Sequence, residues 1–199
     1  MTISKTDLVG SLLVSVSSSK KLLDTTDTTL TSTIVDNALD ALSRLAPATG
    51  IDTITLQSGV QVYSAPTNLW AYKETAWGFE QAAAPWEAGY ISRLPEVSYN
   101  EGSIYFGFAP TSAMIANLGS RFTYFYYARY QVINNAIDIE PRKQALLLLL
   151  CQMEVMKLLV LREPGTQVTV KGGAKLQYGS PAIALKALEI EARTIAKSL

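Results

Sequence analysis

The stretch Ala145–Leu161, ALLLLLCQMEVMKLLVL, decides how this chain must fold. Only Gln152, Glu154 and Lys157 interrupt its apolar character. A surface helix needs one apolar stripe, whereas this segment is apolar on nearly every side and must be covered by more than one neighbour. It is shorter than the roughly 20 apolar residues that span a bilayer, and it carries two charges inside. The reading is therefore a buried central helix. Glu154 and Lys157, at i and i+3, are spaced to pair with each other. Gln152 and Glu154 equally fit a side that meets a neighbouring subunit, because so apolar a helix in a chain of 199 residues favours an oligomer.

Working outward, Pro141 suits the first position of that helix, where its missing N–H costs nothing, and Pro164-Gly165 stops it after Arg162. Gln167–Tyr178 reads as a short hairpin turning at Gly172-Gly173. Ser180 at the N-cap and Pro181 at the first position open a last helix. Its apolar side is expected to hold Ile183, Ala187, Leu188, Ala192, Ile195 and Leu199. Before the central helix, Arg121–Gln131 is the strongest strand. Phe122, Tyr124, Tyr126 and Tyr130 share one face, and Thr123, Phe125, Tyr127 and Arg129 the other.

Further back, Val97–Tyr99 and Ile104–Phe108 flank Asn100-Glu101-Gly102 as a hairpin, and residues 112–118 suit a short helix. Residues 77–94 read as a long ordered loop anchored by Trp77, Phe79 and Trp86. Ile54, Leu56, Val60 and Val62 alternate as in a half-buried strand, with a turn at Ser58-Gly59. At the start, Ser4 and Asp7 resemble a capping pair for a helix reaching about residue 23. The run TTDTTLTST suits a turn, and Thr33 with Asp36 opens a second helix whose face is Ile34, Ala38, Ala41, Leu42 and Leu45. The expected class is α+β. One α-helical domain forms from an N-terminal helical hairpin (1–50) and two C-terminal helices (132–199), with an antiparallel β-rich subdomain inserted at 51–131.

Charge is balanced overall but uneven. Residues 1–50 carry a net of −1, residues 51–139 of −3 and residues 140–199 of +4. That pattern lacks the dense basic stripe of a free nucleic-acid binder. The N-terminus, apolar residues broken by serines and followed by lysines, does not read as a signal peptide, so synthesis in the cytoplasm is expected.

Chemistry is sparse. Without histidine there is no Ser-His-Asp or Cys-His arrangement and no imidazole ligand, and no Walker loop, GxGxxG or cysteine pair occurs. The lone Cys151 sits in the most apolar stretch and reads as a small buried hydrophobe. Lys171-Gly172-Gly173-Ala174-Lys175 is a hairpin turn more simply than a phosphate cradle. Glu74, Glu80, Glu87, Glu96 and Glu101 lie in the aromatic middle region, where two carboxylates could support glycoside hydrolysis, but nothing pairs them. Trp70, Trp77, Trp86 and the tyrosines could stack on sugars or bases; core or interface is the preferred reading.

Taken in order, several segments resemble the head-to-tail connector (adaptor) proteins of tailed bacteriophages. They are the helix Ile34–Leu45 (IVDNALDALSRL), the strand ending Tyr63-Ser-Ala-Pro66, Ile139-Glu-Pro141 leading into the apolar helix, and Tyr178-Gly-Ser-Pro181 before the last helix. The middle, residues 70–118, departs from a minimal adaptor. The resemblance implies a virion structural protein, not an enzyme. It implies a ring, commonly of twelve subunits, that docks beneath the portal protein, continues the DNA channel and meets a downstream neck or tail protein. It implies no catalytic residue, cofactor, metal or membrane partner. The last helix would be the portal-docking element, and the location is the neck of the virion. A tail terminator or tail-completion protein is the neighbouring reading. A carbohydrate- or receptor-binding particle protein, using the aromatic β region, is the reading from another class.

Overall fold

The computed structural model describes residues 2–16, 28–79, 81, 83–162, 167–172 and 175–199. Along the chain these form β1 (Thr2–Ser4), α1 (Lys5–Ser15), α2 (Thr28–Leu45), β2 (Ala48–Thr55), β3 (Val62–Ser64), β4 (Leu69–Thr75), β5 (Val97–Asn100) and β6 (Ser103–Phe106). There follow α3 (Ser112–Leu118), β7 (Arg121–Ala128), β8 (Val132–Ile133), β9 (Ala136–Asp138), α4 (Pro141–Arg162), β10 (Val168–Gly172), β11 (Lys175–Gly179) and α5 (Pro181–Ala196). The fold is α+β, with every strand pair antiparallel. The chain divides into two compact units, one of Met1–Pro47 with Tyr130–Leu199 and one of Ala48–Arg129.

The first unit is built on α4. Pro141 is its first residue, and Leu146, Leu147, Leu149, Leu150 and Cys151 are all buried, so burial runs round the helix and not down one stripe. The neighbours that cover it are α5, α2 and α1. α1 starts where Ser4 Oγ accepts the N–H groups of Thr6 (3.1 Å) and Asp7 (3.4 Å), two of the donors a helix start leaves unpaired. It ends at Ser15, short of the expected residue 23; residues 17–27, and with them the N-terminal connection, lie outside the described residues.

α2 corrects the reading of the threonine run. The helix already begins at Thr28, and Thr33 is an interior position whose hydroxyl donates to the Thr29 carbonyl at 2.9 Å. Threonine's weak helix preference is a few tenths of a kcal/mol per residue, and burying Ile34, Val35, Ala38, Leu39 and Leu42 outweighs it. Leu45, expected on that face, is exposed instead. The hydrogen-bonded pairs β1–β9 and β8–β9 form a small sheet that the sequence reading missed, and β10–β11 is the expected hairpin, its turn at 173–174 outside the described residues. The stop signal Pro164-Gly165 is likewise outside them.

The second unit holds two three-stranded sheets, ordered β2-β7-β4 and β3-β6-β5, over one core. β7 is central, and its alternation is as expected: Phe122, Tyr124, Tyr126 and Ala128 are buried while Thr123, Phe125 and Tyr127 are half-buried. Phe122 meets Phe106 edge-on at 4.9 Å between ring centroids and Trp77 at 5.9 Å, which joins the sheets through aromatic contact. β2 pairs with β7 so that Gly50 faces Tyr126, and the Tyr126 ring lies over Gly50 where any side chain would collide with it. β4 was not expected; it adds to β7 with two register shifts, between Leu69 and Ala71 and between Tyr72 and Glu74. The β5–β6 hairpin turns at Glu101 (φ 46°) and Gly102 (φ 79°), the positive pair that a two-residue turn requires.

Candidate functional site

The polar residues of α4, which equally fit an internal pair or a side that meets a neighbouring subunit, divide between interior and surface, with Glu154 half-buried and Lys157 exposed. Gln152 is buried. Glu154 Oε1 pairs with Lys157 Nζ at 2.5 Å, as its spacing implied, while Glu154 Oε2 accepts from Asn37 of α2 at 3.5 Å. By length and composition α4 is the one helix among the described residues that could cross a membrane, but α1, α2 and α5 occupy its sides. Cys151 is fully buried, and burial, reinforced by the Glu154 charge, pushes its thiol up to about 12. That is a packing residue, far from the thiolate a nucleophile needs.

Exposed apolar surface lies elsewhere on this unit. α5 turns Ala184, Leu188 and Ala192 inward, with Pro181 at its start. Ile183, assigned by sequence to the inner side, is 63% exposed, and Ile190, two turns on, is 61% exposed. Residues seven apart share a helix face, so the two isoleucines make an outward apolar ridge, with Lys186, Arg193 and Lys197 also exposed on the helix. The sequence-derived side was offset because the small residues Ala184 and Ala192, not the larger isoleucines, allow close approach to α4. A groove of about 660 Å³ runs between α1 and α4, and Ile195 also lines it. Val14, Ala145, Leu148 and Leu149 supply apolar lining, and Gly10 and Ser11 leave it open because they are small. Asp7, Ser15 and Gln152 supply polar groups on its wall. A ridge and a groove of this kind are shapes against which a helix can pack.

In the β unit the aromatic residues divide. Trp77 is 7% exposed and donates its indole N–H to the Gly119 carbonyl at 2.9 Å; Trp70 is half-buried. Phe79 and Trp86, expected as anchors, are 75% and 85% exposed. The loop that carries Trp86 is tied at its base. Gln81 donates to the Ile91 carbonyl (2.9 Å) and accepts the Ile91 N–H (2.8 Å), which mimics a strand pair. Glu87 accepts the Ala84 N–H at 2.9 Å, and Asn117 holds the Gly89 carbonyl at 3.1 Å. On the sheet, burial and then the neighbouring Asp52 carboxylate push the Tyr124 phenol well above the tyrosine range, and its hydroxyl donates to Asp52 at 3.1 Å. Tyr72 is pushed up to about 12 by burial and by Glu74. Both phenols stay protonated across the physiological range.

The four described glutamates of this region stand on separate elements. Glu74 is on β4 beside Lys73 (3.3 Å), Glu87 is spent on its own loop, Glu96 precedes β5 and Glu101 forms a turn; Glu80 lies outside the described residues. Among the described residues no three His, Cys, Asp or Glu side chains come together as metal ligands would. No protein-family model matches the chain, and no curated protein matches it either.

Proposed function

We propose that this protein is a structural component of a tailed-phage virion, an adaptor ring that joins the portal of the capsid to the neck or tail and continues the DNA channel. The observation that carries this reading is the outward ridge of α5, Ile183 with Ile190, on a helix whose other face is already buried against α4. An exposed apolar ridge and a separate apolar groove on the same unit favour a head-to-tail contact, and head-to-tail contacts that close produce rings. The order of motifs along the chain supports the same assignment. In this reading the protein acts by assembly and not by catalysis. α5 contacts the portal or the next subunit, and the neck of the virion is where it works.

The test is the mass of the purified assembly by native mass spectrometry, alone and with a portal protein. A closed ring, or a ring that forms once portal is added, is the expected result. A monomer that fails to pull down portal ends the proposal. Binding to a tail-tube protein instead of portal moves the assignment to a tail terminator or tail-completion protein.

One observation favours a second reading. Trp86 stands 85% exposed on a loop held by side-chain ties, as an aromatic platform for a sugar or receptor would. Saturable binding on a glycan array, lost in Trp86→Ala, would select that role for the β unit.

A further inference from the structure

The chain leaves the helical unit after Pro47 and re-enters it at Tyr130. Both ends of this interruption meet one side chain. Lys143, in the first turn of α4, is buried, and its Nζ donates to the Pro47 carbonyl (3.2 Å), the Tyr130 hydroxyl (3.0 Å) and the Glu140 carboxylate (2.9 Å). An ammonium has three donors and no acceptor, so these partners use its whole capacity. A second tie lies alongside. The Tyr130 N–H donates to Ser43 Oγ at 3.0 Å, and the Ser43 hydroxyl donates to the Leu39 carbonyl of α2 at 2.8 Å. Ser43 and Lys143 are both buried polar side chains, and burying such groups is costly unless their hydrogen bonds are made.

We infer that Lys143 is a latch that closes the helical unit across its interruption, holding the exit at Pro47 and the return at Tyr130 against the start of α4. It is a positioning residue. A methionine would fill the same space with its stem and make none of the three bonds, so the ammonium is there for what it ties together. The order of the two crossings depends on the latch; the middle of α4, covered by apolar packing, does not.

Amide hydrogen exchange on the full chain tests this in Lys143→Met and Tyr130→Phe. The reporting amides are Ala46, which donates to the Leu42 carbonyl at 2.8 Å, and Tyr130. In Lys143→Met both are expected to exchange about tenfold faster or more, the scale of losing a hydrogen bond to a charged group, while the amides of Leu150 and Met156 keep their protection. Tyr130→Phe is expected to give a smaller acceleration that adds nothing in the double variant. Unchanged exchange at Ala46 and Tyr130, loss spread evenly through α4, or fully additive effects would overturn the latch. Should Lys143→Met not fold, Tyr130→Phe alone decides: faster exchange at the two amides supports it, and native rates refute it.

Discussion

Cys151 and Glu140 show how differently two single residues can be read. Cys151 was legible in the sequence because its neighbours on the chain are also its surroundings, and five consecutive leucines already imply burial. With its thiol pushed up to about 12, it is expected to stay unreactive to a thiol reagent at pH 8 in the folded protein and to react fully in denaturant. Rapid labelling without denaturant would contradict this. Glu140 is different, since its carboxyl is held below its ordinary 4.5 chiefly by the hydrogen bond from Lys143, with the charges of Lys143 and Arg142 adding to this. A depressed carboxylate contributes stability that is present above the ordinary value and lost as pH falls through the lowered one. Glu140→Gln should therefore lower the melting temperature at pH 7, and the two melting curves should converge as pH falls below the ordinary carboxylate value. The neighbours of Lys143 were not legible, because Pro47 lies 96 residues away and Tyr130 lies 13 residues away. No local pattern encodes such a meeting.

Elements follow the same division between near and far. α4 starts at Pro141, β7 alternates and the β5–β6 hairpin turns at Gly102 because each depends on signals within a few residues. α2 was misjudged at its start, since packing of its apolar face overrides the preferences of the five threonine and serine residues at 28–33, which only Leu30 interrupts. β4 was missed because a strand added to β7 through two register shifts carries no clean period of two. Gly50 gives a prediction at this scale. Its missing side chain leaves room for the Tyr126 ring, so Gly50→Val should cost about 1–3 kcal/mol in unfolding free energy, measured by denaturant titration. In α4, Leu147→Ala removes a fully buried side chain and should cost about 2–5 kcal/mol by the same measurement.

At the scale of the molecule, the question that α4 posed has moved. Its middle is covered by α1, α2 and α5 of the same chain while Leu161 near its end stays exposed, so the surfaces left for assembly are the ridge of α5 and the groove beside α1. Ile183→Glu with Ile190→Glu is expected to leave the circular dichroism spectrum and melting temperature nearly unchanged while abolishing assembly in sedimentation velocity. Ala184→Glu, on the inner face, should unfold or strongly destabilise the helical unit instead. Unimpaired assembly of the double isoleucine variant would remove α5 from the contact. By itself the sequence determined that a central apolar helix exists, that it begins at a proline, that an aromatic strand and a hairpin belong to an inserted region, and that the class is α+β. Those are consequences of periodicity, caps and turn chemistry, which act over a few residues. Only the tertiary structure decided which faces remain open, that Ile183 and Trp86 point outward, and that Lys143 joins the two crossings. Coverage of a face is a property of distant segments brought together, and exposure becomes definite only after every neighbour has been placed.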